Sequence, residues 1–185
     1  MKKSTLKNIL TTTGLCTLLA WSSLQANEFN LYYGLGYGTG GKDVTDWYES
    51  NAFVTAKGAP GLGASLRIAY KLDNNIRIDF GTGNMTFMTG DLTFYSVPLN
   101  LTGGYDFKLS DDFSLYARGG IVYNISDGDY VTDNAGTGFV AAAGLEYGSF
   151  FMEVSGDTSK STFSRFGREE DVAINGITLT LGGFF

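Results

Sequence analysis

Eight ionisable residues stand at positions that suit pairing rather than turnover: Arg67, Lys71, Arg77, Asp79, Asp106, Arg118, Glu146 and Glu153. Each falls in a stretch where polar and apolar residues alternate, so each lies on the polar side of its segment. Four positive groups balance four negative ones. Charges withdrawn from water must be paired or they are strongly penalised, so the chemistry they suggest is an ion-pair network. Acid–base catalysis has less to stand on. The sequence contains no histidine, which removes the usual general base near neutral pH. A Glu or Lys with a displaced pKa could substitute, but no spacing points to one, and no enzyme activity is expected. Neither a phosphate-cradling loop nor a metal-ligand pattern occurs, so no cofactor and no metal are expected. GTGG at 38–41 is read as loop glycine that precedes no helix. DGDYVTDN (127–134) carries three Asp but lacks the ligand spacing and closing Glu of a calcium loop.

The elements that must position these charges are strands. After Phe29, apolar residues recur with period two, the signature of a strand with one apolar face. One face carries Phe29, Leu31, Tyr33, Leu35 and Tyr37; then Leu62, Ala64, Leu66, Ile68, Tyr70 and Leu72; then Ile76, Ile78 and Phe80. The pattern continues through 94–107, 113–124, 137–147 and 150–157, and closes with Ile177, Leu179, Leu181 and Phe185. That makes eight strands, most of about ten residues. The opposite faces hold the eight charges with Ser, Thr and Asn. The 26 Gly, 2 Pro and 15% aromatic residues suit β structure better than helix.

In a soluble sandwich the apolar faces would meet in a core, and hairpin-length connections would suffice. Here the connections alternate in length. Residues 72–75, 108–112 and 148–149 are tight turns, whereas 39–60, 126–136 and 157–172 are long; only the link near 88–91 is short out of turn. Short turns on one rim and long loops on the other is the layout of an outer-membrane barrel. Strands of about ten residues, tilted roughly 45°, just cross the apolar layer. Tyr70, Tyr105, Phe107, Phe113, Tyr147, Phe150 and Phe185 fall beside the tight turns, and Tyr37, Tyr95, Tyr123 and Phe139 toward the long loops, as two interfacial girdles require. The expected fold class is therefore all-β, a closed antiparallel eight-stranded transmembrane β-barrel.

The first residues follow another logic. Lys2, Lys3 and Lys7 precede a moderately apolar stretch that ends in SSLQA, the three parts of a secretory signal. The expected organisation is a signal peptide over 1–26 and a barrel over 27–185. Cys16 would leave with the signal, so no disulfide or Cys-based metal site is expected. Removing three lysines leaves 10 basic and 19 acidic residues, a formal charge of −9. That balance argues against nucleic acid as a partner.

The signal, the eight amphipathic strands and the C-terminal strand ending in Phe resemble the small outer-membrane β-barrels of Gram-negative bacteria. SVPLNLTGGYDFKLSDDFSLYARGGIVYN (96–124) is similar to the central hairpin of the OmpA-like and OmpX-like barrel group. The resemblance implies that Ile177, Leu179, Leu181 and Phe185 form the signal read by the barrel assembly machinery. It implies a location in the cell outer membrane, against lipid and lipopolysaccharide. The expected function is a structural, surface-exposed protein that supports the envelope, with adhesion to a host or another cell through acidic loops. The alternative is a narrow pore for ions or small solutes. Trp47, Tyr48, Tyr130 and Phe163 are read as exposed loop residues available for such contacts.

Overall fold

The computed structural model describes residues 28–39, 42–52, 61–72, 74–88, 93–174 and 176–185. The expected signal peptide, with its boundary after Ala26, lies outside these residues.

The described residues form twelve strands, and most belong to one wall: β1 (Glu28–Gly38), β2 (Leu62–Lys71), β3 (Ile76–Thr82), β4 (Met85–Met88), β5 (Phe94–Lys108), β6 (Phe113–Gly128), β8 (Ala135–Tyr147), β9 (Phe150–Asp157) and β12 (Ile177–Phe184). Every pairing in the wall is antiparallel, and β1 pairs with both β2 and β12, so the sheet closes on itself. Closure leaves no edge, which is what a sheet in hydrocarbon requires.

β3 and β4 are two halves of one wall strand, because both pair with β2 and with β5. The barrel therefore has eight staves. Between the halves, Gly83–Asn84 form a β-bulge: Gly81 to Met85 spans one residue more than the facing Arg67 to Ala64. The bulge inverts the inward–outward parity. Phe80 points out before it, and Thr86 points in and Phe87 out after it. The Asn84 side chain donates to the Gly61 carbonyl at 3.0 Å. Its Oδ1 lies 2.6 Å from where a Cβ would stand at Gly36 and at Gly63, so glycine at both positions makes room for it.

The distribution of polarity is the reverse of a soluble domain's. Leu35 is 67% exposed and Phe139 72%, whereas Arg77 is 0% and Asp79 1%. Apolar side chains cover the outside of the wall, and ionic ones fill the inside. Aromatic pairs gather at the rim of the tight turns: Phe29 with Tyr70, Tyr33 with Phe185, Tyr105 with Phe107, and Phe113 with Tyr147, with centroids 5.0–6.5 Å apart. They form an interfacial girdle.

The opposite end departs from the sequence reading. β5 and β6 run for 15 and 16 residues and rise above the belt. The described parts of the long connections are folded. The first contains α1 (Lys42–Ala52), which begins directly after GTGG, so that stretch does precede a helix; Gly40 and Gly41 themselves lie outside the described residues. The others supply β7 (Val131–Asp133), β10 (Lys160–Arg165) and β11 (Arg168–Ala173), which form a separate sheet in the order β11-β10-β7. Helix and sheet together make an outer head.

Candidate functional site

The residues that could do chemistry converge in the lumen, where parity aims them inward from β2, β3, β5, β6, β8 and β9. Around Arg77, Nη2 lies 2.9 Å from Asp79, and Nη1 lies 2.9 Å from Asp106 and 3.0 Å from Glu146. Lys71 adds contacts to Glu146 at 2.6 Å and to Asp106 at 3.3 Å. The Tyr32 hydroxyl donates to Glu146 at 2.6 Å. A second group centres on Glu153. Arg67 reaches it at 2.5 Å and Arg118 at 2.7 Å, and the Tyr116 hydroxyl donates to it at 2.8 Å. Asp79 joins the two groups, because Arg67 Nε lies 3.3 Å from its Oδ1.

All eight residues are thus members of one continuous lattice. Aromatic faces pack its guanidinium groups: Arg67 lies 4.6 Å from the Tyr32 ring centroid and Arg77 lies 4.2 Å from that of Tyr116. Each ion has an opposite partner, and Tyr32, Ser114, Tyr116 and Thr102 add hydrogen bonds to Glu146, Glu153 and Arg118, the condition under which buried charge is tolerated. Acidic and basic groups are paired with one another, and only Arg67 Nε among their buried atoms makes no hydrogen bond.

Two small cavities lie inside the wall among the described residues. A cavity of about 20 Å³ adjoins Arg67, Arg118 and Glu153, and another of about 30 Å³ lies above it among Asn84, Asn100, Ser155 and Asp157. Each is polar and large enough for a water molecule, and not for a solute.

Above the second cavity the head packs on the mouth. Ile174 is both a wall of that cavity and a member of the head's apolar core, with Val44, Trp47, Tyr48, Phe94, Phe163 and Val172. Phe94 belongs to the inner face of β5, and its ring centroid lies 5.7 Å from that of Phe163 on β10. Ser126 on β6 hydrogen-bonds Ser161 on β10. Tyr48 donates its hydroxyl to the Asp129 carbonyl at 2.6 Å, and burial holds its pKa above the ordinary tyrosine value. The head is therefore tied to two wall strands, β5 and β6, and to the turn that follows β6.

This corrects the reading of the aromatic residues of the long connections as exposed. Trp47, Tyr48 and Phe163 are not exposed contact residues; they are 6%, 0% and 0% exposed and build the head's core, leaving Tyr130 partly exposed. The carboxylates of 127–134 serve the turns: Asp127 accepts from the Gly128 amide, Asp129 from Thr93 and Asp133 from Ala135. One signal for the head was present in the sequence. Val44, Trp47 and Tyr48 have the i, i+3, i+4 spacing of a helix face.

The C-terminal residues Ile177, Leu179, Leu181 and Phe185 are all exposed on the outside of the wall. β12 pairs with β9 and β1, and the Phe185 carbonyl accepts from the Leu31 amide at 2.9 Å.

By sequence, the chain matches no protein-family model and no curated protein. By structure, it is similar to the outer membrane protein OprG from Pseudomonas aeruginosa, with a TM-score of 0.58 at 12% identity, covering 86% of this chain and 96% of that one. It is also similar to Neisserial surface protein A, with a TM-score of 0.54 at 12% identity, covering 86% and 98%. The fold is that of the small outer-membrane β-barrels.

Proposed function

We propose that the protein is a sealed outer-membrane barrel that stiffens the envelope and displays a folded head to the outside. The observation that carries this reading is the filled lumen. Four cations and four anions lock one another in place, two cavities beside them are of only about 20 and 30 Å³, and the head is seated on the mouth. Contacts with lipopolysaccharide, a host surface or another cell then fall to the head as a rigid unit, and not to loose acidic loops. The absence of histidine from the sequence supports a non-enzymatic role.

Residues 1–26 would direct export and be removed. Ile177, Leu179, Leu181 and Phe185 would be the segment that the barrel assembly machinery reads, because they present an apolar row along the strand that closes the wall.

The test is liposome swelling in small sugars, paired with cell binding by a variant whose head segments 42–52 and 158–174 are replaced by short turns. No swelling, with binding lost in the variant, is the expected result. Rapid swelling by the intact protein would favour the narrow pore instead. Unchanged binding by the headless variant would reject the head as the contact surface.

A further inference from the structure

Asp157 ends β9 and lines the upper cavity, above the ion lattice. The lattice is already balanced, four cations against four anions, so Asp157 brings a negative charge without a counterpart. No Lys or Arg among the described residues pairs with it. Its Oδ1 accepts from the Ser159 amide at 3.0 Å and from the Ser159 hydroxyl at 2.9 Å. Its Oδ2 accepts no hydrogen bond from a described residue. An unpaired carboxylate on the inner side of the wall is costly.

Oxygen atoms gather around the same cavity of about 30 Å³. Asn100 reaches it from β5; the residue is only 6% exposed, and its Oδ1 has no hydrogen-bond partner. Asn84, in the bulge, donates Nδ2 to the Gly61 carbonyl, and its buried Oδ1 also has no partner. Ser96 donates its proton to Asn124 at 2.7 Å, which leaves its own lone pairs as acceptors. Ser155 and Thr178, opposite each other across β9 and β12, add two hydroxyls. Arg67 and Arg118 border the lower cavity instead, and Glu153 engages both.

We propose that the upper cavity binds a sodium ion. Carboxylate, amide and hydroxyl oxygens suit a hard cation. One carboxylate neutralises one positive charge, whereas a divalent ion would leave a net charge in a site withdrawn from water. The room is that of one water molecule, which sodium matches and potassium exceeds. A single water has two protons to give to three unpartnered oxygens, on Asn84, Asn100 and Asp157; a cation attracts all three. The donors come from four staves, so no ligand spacing shows in the sequence. Ser159 and Ile174 flank the β10–β11 hairpin. Ser159 holds the Asp157 carboxylate, and Ile174 lines the cavity and belongs to the head's core. The ion would therefore fasten the base of the head to the wall. This site rests on the cavity and not on the role proposed for the head.

The test uses the full barrel in detergent, with choline chloride exchanged for sodium chloride at constant ionic strength. Its tryptophan emission comes from Trp47, since the other Trp in the sequence, Trp21, lies in the expected signal. The thermal midpoint read by that emission should rise by roughly 3–6 °C between about 1 and about 100 mM sodium, and rise less in potassium. Asp157→Asn keeps an oxygen for the Ser159 bonds and removes the charge, so it should abolish the rise. Asn100→Asp adds a second carboxylate and should transfer the response from sodium to calcium. Unchanged gel mobility of the unboiled form shows that each variant has folded. A midpoint that ignores sodium in the intact protein would leave water alone in the cavity and overturn the proposal. So would an equal rise in potassium, an undiminished rise in Asp157→Asn, or an unaltered sodium response in Asn100→Asp.

Discussion

Arg67 on β2 and Glu153 on β9 meet at 2.5 Å across the lumen, although β1 and β12 stand between their strands in the wall. The pair is a chord through the barrel, and it ties together staves that share no backbone hydrogen bonds. Arg77 on β3 and Glu146 on β8 form a second chord at 3.0 Å. The interior thus braces the wall from within, which a barrel lined by unpaired polar side chains could not do.

Substituting Glu153→Gln keeps the shape and removes the charge that faces Arg67 and Arg118. Two guanidinium groups would then share too few anions. The expected cost is roughly 3–5 kcal/mol, read as a lower urea midpoint for loss of the fast-migrating unboiled form on gels. No change in the midpoint would mean that the lattice does not brace the wall.

On the outer face, Ile121→Arg should destabilise the barrel by roughly 2–4 kcal/mol in lipid. In a water-soluble protein the same change at a 57%-exposed residue would be nearly neutral. Refolding yield into vesicles distinguishes the two cases.

Phe163→Ala should melt the head and leave the barrel intact. The ring packs on Phe94, Trp47 and Tyr48, and truncating a core Phe costs about 3–5 kcal/mol. Trp47 emission should move to the red and α1 should become cleavable by protease, with gel mobility unchanged. Collapse of both parts together would show that head and wall fold as one unit.

Rising pH should loosen the head selectively. Burial raises the Tyr48 pKa above its ordinary value of 10.0. An acid whose folded-state pKa is raised keeps its proton longer when folded, so stability is full below 10.0 and falls as pH climbs past it. Tyr48→Phe should remove that alkaline step, at a cost of about 1 kcal/mol at neutral pH from the lost hydrogen bond. Trp47 emission against pH reads both effects.

The wall was legible because its signal is local. Period-two alternation in stretches such as Phe150–Asp157 reports strand, face and length together, and the tight turns mark one rim. The bulge at Gly83–Asn84 was less visible, since one extra residue inverts parity and leaves only Phe87 to show it. The head was hidden for a different reason. Val44, Trp47 and Tyr48 are the only large apolar residues in an acidic helix, and they are buried by Phe163 and Val172 from another part of the chain. The turn that would have announced β10 and β11 carries Phe-Gly where Asn-Gly is usual. Nor does alternation say which cation meets which anion: Arg67 with Glu153 and Arg77 with Glu146 depend on barrel closure and stagger, which appear only in three dimensions.

Single-channel recording of the intact protein in planar bilayers tests the sealed lumen most directly. A lattice of paired charges beneath a seated head should give a silent baseline across the voltages that the bilayer withstands. Stable, uniform current steps from the intact protein would show a continuous aqueous path through the barrel and contradict the account.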